Sequence, residues 1–68
     1  MIKIKDAILL EFYDEYMVAY NGIVYYCHFY PSDDFPDEKE MGVFVIQGDN
    51  GTEILCSQWE VDVVWSLT

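Results

Sequence analysis

The dipeptide Asn21-Gly22 constrains this chain more than any other feature, because it separates two runs that are apolar almost throughout, Tyr16–Tyr20 and Ile23–Tyr30. Asn and Gly both accept the positive φ angles of a two-residue type I′ turn, whose twist matches that of paired antiparallel strands. Residues 16–30 therefore read as a β-hairpin. A second turn signal, Gly48-Asp-Asn-Gly51, lies between Val43–Ile46 and Thr52–Cys56 and predicts a second hairpin. Near the C-terminus Trp59, Val61, Val63 and Trp65 alternate with Glu60 and Asp62. Side chains alternate across a strand, so this spacing predicts two Trp in the core and two carboxylates side by side in water.

The N-terminal third carries two patterns. Ile2 and Ile4 alternate with Lys3 and Lys5, as in a strand. Residues 6–16 fit a helix with Glu11 and Glu15 on one face and Leu9, Phe12, Tyr13 and Tyr16 on the other. They also fit a strand with Ile8, Leu10 and Phe12 inward and Asp14-Glu15 in a turn. The strand is favoured: the hairpin claims residues 16–20, which leaves a helix of about two turns, too short to hold without support. Pro31–Glu40 packs two Pro and five acids into ten residues and reads as a loop. The expected fold is mostly β, a small antiparallel five- or six-stranded SH3-like barrel or twisted meander, with a short N-terminal helix at 6–16 as the variant.

Sixty-eight residues make one domain, 1–68, and a chain this short buries only about 60% of its unfolded surface. Six Tyr, four Phe and two Trp supply the apolar mass for a core without metal or disulfide help, and exclude disorder. Cys27 and Cys56 are too few for a disulfide framework and read as reduced, buried thiols. No secretory leader is read in the first residues, and no apolar run approaches the roughly 20 residues that span a bilayer. The expected location is the cytoplasm.

Charge then limits the partners. Thirteen Asp and Glu face three Lys and no Arg, a formal charge of −10. Solubility asks for about 2–8 charges on a small domain, so the excess calls for another cause. Phosphate binding runs on Lys and Arg, which excludes nucleic acid as a direct ligand and disfavours anionic membranes. A basic protein surface is the complementary partner.

Familiar reaction chemistries fail on spacing. Cys27 and His28 are adjacent on a strand and point to opposite faces, so they form no nucleophile–base dyad. One His and two Cys in different hairpins lack the paired spacing of a zinc site. Asp33, Asp34, Asp37, Glu38 and Glu40 lack the ligand spacing of a calcium loop. Phosphate loops and nucleophile elbows are missing as well. The chain is expected to be no enzyme and to need no cofactor.

Two apolar faces stand out on the central strands. Alternation places Val24, Tyr26 and Tyr30, or Phe44 and Ile46, on a second face that is either covered in a barrel or exposed as an interface. The segment Val43-Phe-Val-Ile-Gln-Gly-Asp-Asn-Gly51 resembles the C-terminal hairpin of the phage uracil-DNA glycosylase inhibitors, a family of acidic DNA mimics. The likeness is confined to that hairpin and implies a class of function, not membership.

The expected function is therefore a non-enzymatic inhibitor that binds a basic, nucleic-acid-binding surface of a target protein as a DNA or RNA mimic, of phage or mobile-element type. Loop contacts would come from Asp33, Asp34, Asp37, Glu38 and Glu40, a second acidic cluster from Asp14, Glu15, Glu60 and Asp62, and an apolar anchor from Phe35. The alternatives are an SH3-like interaction or assembly module, with a homodimer through the apolar face, and an immunity protein against a cationic toxin.

Overall fold

The computed structural model describes residues 1–67 and contains six strands in one antiparallel sheet. They are β1 (Ile2–Ile4), β2 (Glu15–Tyr20), β3 (Ile23–Tyr30), β4 (Val43–Gln47), β5 (Glu53–Ser57) and β6 (Val63–Ser66). Their spatial order is β1-β6-β2-β3-β4-β5. Strands β2 to β5 form a meander, β6 returns beside β2, and β1 lies outside β6. Ladder pairing thus leaves β1 and β5 as the two edges.

The turn chemistry explains the meander. Asn21 and Gly22 both take positive φ, 50° and 79°, and close Tyr20 onto Ile23. Between β4 and β5 a single 3₁₀ turn, Asp49–Gly51, puts Asn50 and Gly51 at positive φ, and the Gly48 N–H donates to the Thr52 carbonyl at 2.7 Å. Both hairpins lie where the turn residues predict them.

Residues 6–14 are neither the favoured strand nor an α-helix. Asp6 caps a 3₁₀ turn at Ala7–Leu9, its carboxylate accepting from the Ile8 N–H at 3.1 Å. Leu10 then runs extended and buries itself, and Tyr13 adopts φ 68° before β2 begins at Glu15. A left-handed residue breaks both periodicities that the sequence offered.

One face of the sheet is the core. Tyr16 and Val18 of β2, Cys27 and Phe29 of β3, Phe44 and Ile46 of β4, Cys56 of β5 and Val64 of β6 are buried on it, and Leu10 closes over them. Phe44 and Ile46 thus belong to the core, not to the second face. Ala7, Phe12 and Val61 cover the rim. Rings dominate: Phe29 lies 4.9 Å from Phe44 and 5.4 Å from Phe12, and Tyr16 meets Phe29 and Phe44 edge-on. The Tyr16 hydroxyl accepts the Glu11 backbone N–H at 2.8 Å, so the one phenol in the core is satisfied.

The last segment departs from its predicted phase. Ser57–Glu60 is a turn, and the strand begins only at Val63. Trp59 is 73% exposed, and Val64 rather than Val63 or Trp65 enters the core. Val64 faces Val18 across the ladder, while Trp65 pairs with Met17 on the opposite face. Glu60 and Asp62 consequently do not project from one strand. No helix among the described residues is long and apolar enough to cross a membrane.

Candidate partner-binding surfaces

The carboxylates decorate the rim of the sheet, and all thirteen are exposed. Among the described residues only Glu11 has a lysine within ion-pair distance, Lys39 at 3.2 Å, while the His28 imidazole Nε2 lies 3.6 Å from Glu15. No other carboxylate among the described residues has a cationic group within ion-pair distance.

The acidic loop is held in shape by its own backbone. Ser32 Oγ accepts the Asp34 N–H at 3.3 Å, the Glu38 N–H donates to the Phe35 carbonyl, and a 3₁₀ turn follows at Lys39–Met41. Two contacts tie it down, the Lys39–Glu11 pair and the Gln58 Nε2 bond to the Glu40 carbonyl at 3.0 Å. Gly42 then seats the chain on the core, with the Phe29 ring filling the space where a Cβ would lie. Asp33, Asp34, Asp37, Glu38 and Glu40 all face water, and Phe35 is half exposed beside them.

The second acidic cluster is divided. Asp14 and Glu15 open β2 at the end of the sheet where β3 leads into the acidic loop, so these groups share an end. Glu60 Oε1 accepts the Ser57 N–H at 3.0 Å, which places it in the turn after β5, where its charge acts on Cys56 of β5 and on Tyr20, the last residue of β2. Asp62 also lies away from Asp14: its N–H donates to the Ala19 carbonyl, five residues and about 16 Å along β2 from Asp14. The topology therefore gathers Asp14, Glu15 and the loop toward one end and leaves Glu60 and Asp62 apart from them.

The opposite face of the sheet holds side chains that the acidic pattern alone does not reveal. Register across β1, β6, β2 and β3 aligns Lys3, Trp65, Met17 and Tyr26, and a second row aligns Glu15, His28, Val45 and Leu55. Val24, Tyr26, Tyr30 and Leu55 are exposed here. Alternation in β3 identifies Val24, Tyr26 and Tyr30. Leu55 escapes notice because its neighbour Ile54 is equally apolar.

A continuous row of rings runs along this face. Tyr26 meets His28 edge-on at 5.4 Å, His28 lies 6.3 Å from Tyr30, and Tyr30 meets Tyr13 edge-on at 5.7 Å. Glu15 borders the row, pairing with His28 and accepting from the Tyr26 hydroxyl, which holds that phenol above its ordinary pKa. Tyr13 is 69% exposed although its backbone is strained, its N–H bonded to the Phe29 carbonyl.

The thiols stay in the core. Cys27 and Cys56 are both free and buried, and burial pushes the Cys27 thiol up to about 12, with Cys56 adding to the effect. Cys27 and His28 face opposite sides of β3. Among the described residues no three His, Cys, Asp or Glu side chains converge as a metal site. Compared with known protein families, with characterised proteins and with solved structures, the chain matches none.

Proposed function

We propose that this chain is a non-enzymatic binding protein that occupies a basic, nucleic-acid-binding surface of another protein and blocks it. The supporting observation is the state of the carboxylates: thirteen at the surface and, among the described residues, only Glu11 paired with a lysine and Glu15 beside an imidazole. Unpaired charge that repels itself is retained at a cost in stability, and it gains its return when a complementary surface arrives. The acidic loop, Asp14 and Glu15 form the end presented to the partner, with Phe35 as a half-exposed anchor. Steering by such a surface raises the association rate and makes it fall with salt.

The direct test is a pull-down with the tagged chain, washed at low and then high salt, beside a variant with Asp33, Asp34, Asp37 and Glu38 each changed to Lys. Four reversals of two charges each take the formal charge from −10 to −2. The expected result is a basic, nucleic-acid-binding protein, eluted by salt and lost in the variant. Unchanged capture by the variant would overturn the assignment.

A second reading draws on the exposed Val24, Tyr26, Tyr30 and Leu55. In it the chain is an assembly module that docks through its apolar sheet face, alone or as a homodimer. Recovery of a neutral partner, or of the chain itself, that survives high salt would favour this reading.

A further inference from the structure

The four-ring row lies beside Asp14 and Glu15, and its chemistry narrows the partner that the preceding reading leaves broad. Exposed aromatic rows take single-stranded bases, proline-rich segments or cationic side chains. Bases bring phosphates, which a body of charge −10 repels. The exposed carboxylates of Asp14 and Glu15 at the end of this row favour a cation over an uncharged segment. We infer that Tyr13, Tyr26, His28 and Tyr30 form a stacking surface for arginine side chains of the basic partner, with Glu15 and Asp14 supplying the carboxylates; this deepens the reading above and rests on it.

Arginine suits this row better than lysine on chemistry, and the row's geometry suits an extended basic segment. Guanidinium is planar, stacks on rings and bonds carboxylates with two donors at once, whereas ammonium is a compact, strongly hydrated charge. The rings repeat every second residue of β3, which advances about 6.6 Å, and alternate side chains of an extended partner strand repeat at the same interval. Successive arginines of such a strand therefore meet successive rings. Tyr13 extends the row. A bulky residue at φ 68° is strained, and strain of this kind persists where surrounding contacts over-determine it. Here the strain lifts a largely exposed ring against Tyr30 at the head of the row and next to Asp14.

A second copy of this chain is the less fitting occupant. Across the apolar rows, from β6 to β5, the face measures about 19 Å, and along β3 about 20 Å, near 400 Å² in projection. Standard complexes take about 800 Å² from each partner, so the rim must contribute the remainder. That rim carries Asp14, Glu15 and Glu53 and, on the β1 side, Lys3. Two such rims repel, and three lysines in the whole chain cannot complement them.

The experiment titrates octa-arginine and octa-lysine into the full chain at low salt, followed by NMR and calorimetry. It compares wild type with a Tyr26→Ala/Tyr30→Ala double variant and with Tyr26→Phe/Tyr30→Phe. Octa-arginine is expected to bind at least fivefold more tightly than octa-lysine and to shift signals of Tyr13, Tyr26, His28 and Tyr30. The Ala pair should weaken octa-arginine about tenfold, at two- to fivefold per ring, and leave octa-lysine unchanged. The Phe pair keeps the rings and should retain arginine binding. Equal affinity for both peptides, or shifts confined to residues 33–40, overturns the stacking surface and leaves the acidic reading standing. Absence of binding to either peptide overturns both. Signal shifts are read on wild type, so the site is tested even where the Ala pair fails to fold.

Discussion

Gly42 couples the acidic loop to the core, and replacing it with Ala isolates that coupling. Its backbone, φ −65° and ψ 164°, is open to any residue, so Ala brings no conformational penalty. The penalty is one of space. A Cβ there would lie 2.2 Å from Phe29 Cζ and 2.7 and 2.9 Å from the two Cε atoms, where carbon atoms ordinarily approach to about 3.5–4.0 Å. Phe29 is fully buried and has rings on three sides, Phe12 at 5.4 Å, Phe44 at 4.9 Å and Tyr16 at 6.3 Å. A ring hemmed in this way cannot swing aside without displacing its neighbours. Overpacking costs about 1–3 kcal/mol, and this contact belongs at the upper end. A 68-residue chain has roughly 3–10 kcal/mol in all, so Gly42→Ala removes a large share. With a urea slope near 1 kcal/mol/M, the unfolding midpoint should fall by roughly 2–3 M. The double-mutant cycle with Phe29→Leu identifies the cause: in the Leu background the Gly42→Ala cost should shrink by at least about 1 kcal/mol. A midpoint that barely moves, or two substitutions that simply add, would refute the packing account.

Two further outcomes follow from the core and its boundary. Cys27 ionises at about 12 when folded and near 9 when free, so protons leave the unfolded chain first and stability falls as pH rises from about 9 toward 12. At pH 10 this one thiol accounts for about 1.4 kcal/mol, and urea unfolding of Cys27→Ala against wild type should show a shallower alkaline decline. Trp59, largely exposed, should be replaceable by Ala within about 0.5 kcal/mol, whereas a core Trp would cost about 3–5 kcal/mol. A loss of the larger size on urea unfolding would show Trp59 packed as its sequence spacing suggests.

Much of the fold is legible in the turn residues. Asn21-Gly22 and Gly48–Gly51 require positive φ and therefore fix both hairpins, and the paired strands follow from them. Side-chain direction is legible only where one parity of a strand is polar. In β3, Cys27 and His28 separate cleanly because one is apolar and the other is not. In Val63-Val64-Trp65 every residue is apolar, so the phase is carried over from the alternation at Glu60 and Asp62; the turn at Ser57–Glu60 breaks that phase, and Val64, opposite Val18, enters the core in place of Val63 and Trp65. Residues 6–14 were illegible for another reason. Their course is set by tertiary bonds, Tyr13 N–H to Phe29 and Glu11 N–H to the Tyr16 hydroxyl, which local pattern does not encode. The acidic residues are read directly as charge, but their grouping depends on strand direction, which is why Glu60 and Asp62 separate from the others.

Because β1 and β5 each pair with one neighbour, the sheet offers two open rows of backbone donors and acceptors to any chain that can reach them. β5 is five residues long, carries the exposed Leu55 and contains no proline, a form that invites strand-by-strand growth between copies. Mutual repulsion between bodies of charge −10 opposes that growth, and its range shortens from about 8 Å at physiological salt to about 3 Å at 1 M. The carboxylates proposed to meet a partner are thus also the ones that keep copies of the chain apart. On the proposed function, a partner that neutralised them without covering β5 would lower that barrier, and one that also lay along β5 would close the edge.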